Sequence, residues 1–339
     1  MPGLSGWVRG VLFALCSAAT VGCDSGPSLE TFGGSTMGST YSVSYVRRAG
    51  QPDGAIVQPE VEAILAQVDS QMSTWRSDSD IERFNALPAA SCQSMPEPIL
   101  QLVTLGEQLS VASGGRYDLT VEPLMNLWGF GPQSRAQQVP GVEQLNRARE
   151  LVGHEHLRID GQRLCKDAAV QIDLDSIAAG YAVDQISARL QNQGIHDFLV
   201  QVTGELKAVG KKPDGSAWRI ALEEPRDDQQ IAQRILNIDG YGVSTSGDYR
   251  NYYLRAGHRY SHTLDALTGA PVEHGLASVT VVHPSALMAD GLSTMLLILG
   301  PERGWEYAEQ HDIAAFFVIR DDKRFIIRSS HAFDKVSGG

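Results

Sequence analysis

The alternation of polar and apolar residues predicts the first strand at residues 40–46, which read TYSVSYV. A period of two is typical of a strand with one buried face. From Pro59 to Met72 the apolar residues recur every three to four positions instead, which indicates a helix that the proline opens. The same helical spacing predicts further helices near residues 98–112, 143–152, 176–193, 286–299 and 301–311.

Apolar runs bounded by turn residues predict the remaining strands, near residues 169–174, 197–202, 217–222, 234–238, 277–282, 313–319 and 324–328. The last two are joined as a hairpin through Asp321 and Asp322. Helices and strands are interspersed, but they lack the regular strand–helix alternation of a doubly wound sheet, so we expect an α+β fold. No long Pro/Ser-rich break divides residues 34–335, which we expect to form one folded unit with a short tail at 336–339.

Residues 1–22 have the features of a bacterial export signal: Arg9, an apolar stretch at 11–21, and small or apolar residues before Cys23. A helix of about 11 residues spans roughly half of a ~30 Å hydrocarbon core, so this stretch is too short to cross a membrane. Its end resembles a lipoprotein box, with lipid on Cys23 and a polar linker at 23–33; the alternative is an ordinary secretory signal. Asp24 resembles the signal that retains lipoproteins at the inner membrane, which predicts anchoring at its periplasmic face.

The charge balance changes which partners are plausible. The 339 residues contain 28 Lys plus Arg against 40 Asp plus Glu, a net charge of −12, which argues against general nucleic-acid binding. After removal of the signal, Cys92 and Cys165 can either form a disulfide or remain separate thiols. They lack the CxxC spacing of a zinc site.

A glycine-rich segment at residues 33–40 has the glycine spacing of a phosphate-binding loop. Ser39 stands where that loop needs lysine, and the segment leads into a strand, whereas a phosphate-binding loop leads into a helix. A Walker nucleotide site is therefore excluded. The segment is either a close backbone approach to another ligand or a simple turn.

Five further segments complete a recognisable set: MSTWRSDS followed by FN at 72–85, GRYDLTVEPLMNLWGFG at 115–131, DLDSIAAGYAVD at 173–184, STSGDYR with SHTLD and TG at 244–269, and ADGLST at 289–294. Together with the loop around Met37, they resemble the ApbE family, the periplasmic lipoprotein FAD:protein FMN transferases. The resemblance covers about residues 34–335, and the six motifs occur in the family's order.

The resemblance implies an α+β unit related to the T-fold, with FAD between two lobes. It also implies a Mg²⁺-dependent enzyme that cleaves FAD and attaches FMN through a phosphoester to a Thr of an acceptor flavoprotein, releasing AMP. Typical acceptors are subunits of ion-pumping respiratory complexes. The alternative is a protein that stores FAD or hydrolyses it to FMN and AMP, because both functions need the same FAD contacts.

The residues that match the family's FAD contacts are Met37, Trp75, Arg116, Tyr117, Asp118, Asp173, Ala179 and Leu264. Those that match its metal ligands are Ser176, Asp290 and Thr294, and His262 matches the histidine proposed to assist catalysis. Ala179 stands where relatives carry a charged side chain, so only its backbone remains for a contact.

Local chemistry offers a structural alternative for several of these residues. Asp118 could be a turn carboxylate, and Ser176 could be only the N-cap of the helix that follows. Asp290 and Thr294 lie at i and i+4 on one helix face, where Thr294 could instead bond back to the carbonyl of Asp290. His262 could be a buried structural histidine; as a proton acceptor, its ring could be oriented by Asp265.

Overall fold

The computed structural model describes residues 26–134, 137–226, 229, 231–322 and 324–338. In chain order the strands are β1 Ser28–Thr36, β2 Ser39–Arg47, β3 Ser91–Ser94, β4 Leu157–Asp160, β5 Arg163–Lys166, β6 Phe198–Val202, β7 Glu205–Val209, β8 Trp218–Glu223, β9 Ala232–Ile238, β10 Tyr241–Gly247, β11 Tyr252–Arg255, β12 His258–Ser261, β13 Leu264–Asp265, β14 Ala270–Pro271, β15 Leu276–His283, β16 Ala314–Asp321 and β17 Arg324–Ser329. The helices are α1 Gly54–Met72, α2 Asp80–Asn85, α3 Glu97–Ala112, α4 Glu122–Trp128, α5 Val142–Arg149, α6 Asp175–Asn192, α7 Ala286–Gln310 and α8 His331–Val336, with a 3₁₀ turn at His154–His156.

An eight-stranded antiparallel sheet in the order β1-β2-β6-β7-β10-β15-β16-β17 organises the molecule. One face packs against α1, α3, α6 and α7 in the largest apolar cluster, because alternate residues of β2, β6 and β15 are apolar and point to that side. The β8–β9 hairpin and α8 cover part of the other face. This arrangement confirms the predicted α+β class.

A third, smaller apolar cluster lies beside the main body. It joins α4 to the short strands near the end of the chain through Leu124, Trp128, Tyr253 and Leu264. Trp128 also donates its indole N–H to the carbonyl of Gly269 at 2.7 Å, which fixes α4 against the turn between β13 and β14. The segment that carries His262 is therefore held by apolar packing.

Most of the predicted elements are present, and the hairpin through Asp321 and Asp322 is confirmed. Helix α1, however, begins at Gly54 rather than at Pro59, because Asp53 caps it by accepting a hydrogen bond from the N–H of Ile56 at 3.3 Å. The two helices predicted at 286–299 and 301–311 meet at Gly300, whose φ of 84° interrupts α7 just before Pro301.

Two other predictions differ from the structure. Ser28–Thr36 forms β1 and pairs with β2, so the predicted polar linker at 23–33 ends earlier than expected. Residues 169–174 form no strand, only one isolated bridge from Gln171 to Val121. The Asn85 side chain accepts from the N–H of Ile172 at 2.8 Å and donates to its carbonyl at 2.9 Å, thereby taking the groups that a neighbouring strand would use.

Cys92 and Cys165 form a disulfide between β3 and β5, which settles the alternative that the sequence left open. Because the bond joins positions 73 residues apart, it restricts the unfolded chain strongly. We expect the Cys92→Ala/Cys165→Ala variant to lose about 4 kcal/mol of unfolding free energy. Denaturant titration of the oxidised wild type and the variant measures this loss, and equal midpoints with equal slopes would contradict it.

The export signal predicted at residues 1–22 and the lipidation site Cys23 lie outside the described residues. Within the described ranges, no helix combines the length and apolar character needed to span a bilayer.

Candidate functional site

A cavity of about 420 Å³ opens where the three apolar clusters meet. Its wall contains apolar residues of β7, β8 and β10 together with polar residues of α6 and α7. The carboxylates among the described lining residues are Asp118, Asp173, Asp175, Glu205, Glu223 and Asp290. They face a single arginine, Arg250, which is ion-paired with Glu223. Carboxyl groups therefore outnumber basic side chains in the lining.

Asp290 lies in the first half of α7, where Ser285 caps the helix by accepting from the N–H of Met288 at 3.2 Å. The Asp290 side chain is only 5% exposed and accepts a hydrogen bond from the N–H of Gly180 at 2.9 Å. A Cβ at Gly180 would come within 2.5 Å of the carbonyl of Ala286, so glycine permits this close approach of α6 to α7. Burial, and then the charge of Glu205, raise the pKa of Asp290 well above its usual range.

Thr294 follows Asp290 by one helical turn, and its hydroxyl lies 2.9 Å from the hydroxyl of Ser246 on β10. Ser246 also lies 2.8 Å from the hydroxyl of Ser293. Ser293, rather than Thr294, bonds back to the carbonyl of Asp290, at 3.0 Å. Asp290 and Thr294 both line the cavity, as their predicted role as metal ligands requires.

The start of α6 brings a third oxygen donor to the cavity. The Ser176 hydroxyl lies 2.8 Å from that of Tyr117, and both residues line the wall. Ser176 is the second residue of α6, and the cap position is Leu174. Beside it, Asp173 accepts from the N–H of Asp175 at 2.8 Å. The alternative role of Ser176 as N-cap is therefore wrong.

Asp173 and Asp175 form a close acidic pair beside Ser176. Burial raises the pKa of Asp173, and the neighbouring charge of Asp173 is the main cause that raises the pKa of Asp175 well above its usual range. Trp75 is 64% exposed and lies outside the cavity lining, although its indole is close enough to Asp175 to lower the pKa of that carboxyl. The predictions did not include Asp175, although its position two residues after Asp173, just before a helix, was visible in the sequence.

Asp118 lines the cavity, but its oxygens are occupied by the chain itself. One oxygen accepts from the N–H of Thr120 at 2.8 Å and from its hydroxyl at 2.7 Å, and the other accepts from the N–H of His154 at 2.8 Å. These bonds are those of the turn carboxylate that the sequence offered as an alternative. Burial nevertheless raises the pKa of Asp118. Leu264, like Tyr117 and Asp173, lies in the wall as predicted.

Four predicted FAD contacts, Met37, Trp75, Arg116 and Ala179, do not line the cavity. Met37 and Gly38 have φ values of 46° and 70° and make the tight turn between β1 and β2, so this loop is a hairpin. Arg116 is ion-paired with Asp265. Ala179 is buried within α6.

His262 lines the cavity, and its protonation state follows from one contact. Its Nδ1 lies 3.1 Å from the carbonyl oxygen of Asn251. Because a carbonyl only accepts, Nδ1 carries the hydrogen and Nε2 keeps a free lone pair. Burial lowers the pKa of His262, so the ring is neutral at pH 7. Asp265 was expected to orient this ring but pairs with Arg116 instead, and the Asn251 carbonyl orients it.

Glu205 is an acidic lining residue that the sequence analysis missed. It begins β7 directly after a two-residue turn in which Thr203 and Gly204 have φ values of 56° and 141°. Its carboxylate accepts from the Thr203 hydroxyl at 2.7 Å, and burial raises its pKa. A Thr-Gly-Glu sequence after an apolar strand was the available signal, but it is common at surface turns.

The donor set suits a hard cation. Asp290, Thr294 and Ser176 offer a carboxylate and two hydroxyls, which are oxygen ligands of the kind Mg²⁺ prefers. No three His, Cys, Asp or Glu side chains converge as a metal-binding group in the part of the chain that the structure describes. A cation held here would therefore need further oxygens from a ligand.

Comparison with known proteins identifies the family. The sequence profile of the ApbE family matches residues 37–317. A protein of Vibrio cholerae named FAD:protein FMN transferase is 40% identical over 328 residues, spanning 96% of this chain and 98% of that protein. The apo structure of Pseudomonas stutzeri flavinyl transferase ApbE matches with a TM-score of 0.87 and 56% identity over 92% of this chain and 98% of that one. The flavin transferase ApbE from Vibrio cholerae matches with a TM-score of 0.85 and 38% identity over 91% and 99% of the two chains. This chain belongs to the ApbE family.

Proposed function

We propose that this protein is a Mg²⁺-dependent FAD:protein FMN transferase. It moves FMN from FAD to a Thr of an acceptor flavoprotein, such as a subunit of a respiratory ion-pumping complex, and releases AMP. The observation that carries the proposal is that Asp290, Thr294, Ser176 and His262 all line one cavity. The names of the related proteins support the same reaction.

The cavity offers separate surfaces for the parts of FAD. The apolar wall at Leu206, Ile220 and Leu222 suits a flat ring, and the exposed ring of Trp75 can stack on another. The pyrophosphate belongs near Ser176, because the first turn of α6 carries the positive end of the helix dipole.

Asp290, Thr294 and Ser176 would hold the Mg²⁺ ion. When bound, the ion neutralises charge on the pyrophosphate oxygens. With one carboxylate among its three protein ligands, the site should bind the ion weakly until FAD supplies phosphate oxygens.

The transfer itself exchanges one phosphorus–oxygen bond for another. The Thr hydroxyl oxygen of the acceptor bonds to the FMN phosphorus, while the bond from that phosphorus to the AMP oxygen breaks in line. The Thr proton passes to Nε2 of His262, which has a free lone pair because Nδ1 donates to the Asn251 carbonyl.

The second candidate function is hydrolysis of FAD, in which water replaces the Thr hydroxyl. To separate the two, the protein is incubated with FAD and Mg²⁺, with and without acceptor, and AMP and free FMN are measured by chromatography. If the protein transfers FMN, the amount of AMP released should increase when acceptor is present and should exceed the amount of free FMN. Equal AMP and FMN, unchanged by the acceptor, would show hydrolysis instead.

We also propose that lipid on Cys23 anchors the protein to the periplasmic face of the inner membrane. This rests on the short apolar stretch before Cys23 and on the polar residues after it. Cys23→Ala should release the protein from the membrane fraction without changing its transfer rate, because the catalytic domain does not contain Cys23. Fractionation followed by intact mass measurement tests this, with Cys16→Ala as the matched control. A mature protein that keeps residues 1–22 would contradict it.

A further inference from the structure

Three serine and threonine hydroxyls form a chain from the cavity into α7. The hydroxyl of Thr294 contacts that of Ser246 at 2.9 Å, and Ser246 contacts Ser293 at 2.8 Å. Ser293 in turn contacts the backbone carbonyl of Asp290 at 3.0 Å. The chain runs between two elements because Ser246 lies on β10, whereas the other residues lie on α7.

Counting protons fixes the direction of this chain. Each hydroxyl has one proton to donate, and the Asp290 carbonyl can only accept. If all three contacts are hydrogen bonds, Ser293 donates to that carbonyl, so Ser246 must donate to Ser293. Thr294 must then donate to Ser246, because the single Ser246 proton is already used.

We propose that Ser246 is a positioning residue that accepts the Thr294 proton and so leaves the lone pairs of the Thr294 hydroxyl free for a cation. A hydroxyl can ligate a cation only through a lone pair, and a fixed acceptor on β10 holds the Thr294 proton away from the remaining positions around that oxygen. The inference rests on the proposed function, since it concerns the Mg²⁺ ion assigned to Asp290, Thr294 and Ser176. It adds a residue of the cavity wall that is not one of the three proposed ligands.

The neighbouring serine on the same strand does not share this role. Ser244 contacts Ser293 at 3.1 Å and lies 3.4 Å from the Asp290 carboxylate and 3.5 Å from that of Glu205. It has no hydrogen bond to Thr294 among the described contacts. The orientation of the Thr294 hydroxyl therefore depends on Ser246.

The test is Ser246→Ala. Without its acceptor, the Thr294 proton can turn toward the cavity or toward the Asp290 carbonyl one helical turn earlier. Loss of a partner that orients a metal ligand typically costs about 10- to 100-fold in metal affinity, and we expect a loss in that range. Mn²⁺ serves as the probe: its binding to the FAD-loaded protein, without acceptor, is followed by the EPR signal of the free ion.

Two further variants make the result specific. Ser246→Thr keeps the hydroxyl acceptor on a strand, where threonine is well accommodated, and should restore wild-type Mn²⁺ affinity. Ser187→Ala is the matched control: it removes another buried hydroxyl, which donates to the Val183 carbonyl at 2.7 Å, and it should leave Mn²⁺ affinity unchanged. FAD affinity without metal should be the same in all variants.

A second readout separates positioning from general damage. In transfer assays, Ser246→Ala should raise the Mg²⁺ concentration needed for half-maximal rate, while the rate at saturating Mg²⁺ approaches that of the wild type. Unchanged Mn²⁺ affinity in Ser246→Ala, or an equal loss in Ser246→Thr, would overturn the inference. If the wild type binds Mn²⁺ as expected but transfers no FMN, the proposed function fails while the positioning role is still decided by the Mn²⁺ titration.

Discussion

Replacing Asp290 by Ala should lower FMN transfer about a thousandfold or more, since a metal ion supplies several kcal/mol of transition-state stabilisation. Asp290 is the only carboxyl group among the three proposed ligands, and it is buried at the cavity wall. FAD should still bind through its ring contacts. Transfer is followed as covalent flavin fluorescence in the acceptor, and FAD binding is followed by flavin fluorescence without acceptor.

Two companion variants guard against misfolding and nonspecific charge effects. Asp290→Asn can keep an oxygen acceptor for the Gly180 N–H, which bonds Asp290 at 2.9 Å, but it removes the charge. It should therefore fold like the wild type and still lose transfer. Glu302→Ala removes an exposed carboxylate from the same helix, outside the cavity, and should transfer normally. Full activity of Asp290→Ala, or undiminished activity of the wild type in excess EDTA, would contradict the metal assignment.

Replacing His262 by Ala should slow transfer by about 10²- to 10⁴-fold, the usual cost of losing a general base. FAD affinity should change little. His262→Gln is the sharper variant, because its amide can still donate to the Asn251 carbonyl but cannot take up a proton near neutral pH. His196→Ala, which removes an exposed histidine, is the control. A turnover unchanged in either His262 variant would reject the role.

The pH profile of the wild type provides an independent check of the same residue. Burial lowers the pKa of His262 below its usual 6.5, so the base is already neutral at pH 7. The transfer rate should therefore fall along an acid limb centred below pH 6.5, as the ring takes up a proton. His262→Gln should lose this acid limb. A limb centred above pH 7 would contradict the assignment.

The sequence predicted best what depends on local pattern. The period of α7 placed Asp290 and Thr294 on one face, and both residues line the cavity. The order of six motifs indicated the family that the comparisons confirm. The local pattern of residues could not predict which distant segments of the chain contact each other. Arg116 and Asp265 are 149 residues apart and form an ion pair. Because Asp265 binds Arg116, it does not orient the ring of His262 as the sequence predicted.

The missed features share a physical cause: long-range bonds replaced local ones. Residues 169–174 have the composition of a strand, yet Asn85, 87 residues before Ile172, takes the backbone groups that a strand would need. Glu205 joins the acidic wall because a hairpin turn places it opposite α7, and no periodicity marks a turn residue as part of a distant cavity. The Asn251 carbonyl that orients His262 carries no side-chain signal at all.

The central claim is that FMN is transferred to a protein rather than released, and the mass of the acceptor tests it most directly. Purified protein is mixed with FAD, Mg²⁺ and an acceptor that carries the target Thr. The mass of the intact acceptor and the masses of its fragments are then measured by mass spectrometry. The account predicts a gain equal to FMN less water, located on that Thr and absent from an acceptor with Thr replaced by Ala. An acceptor of unchanged mass, in a reaction that has converted FAD to AMP and free FMN, would contradict it.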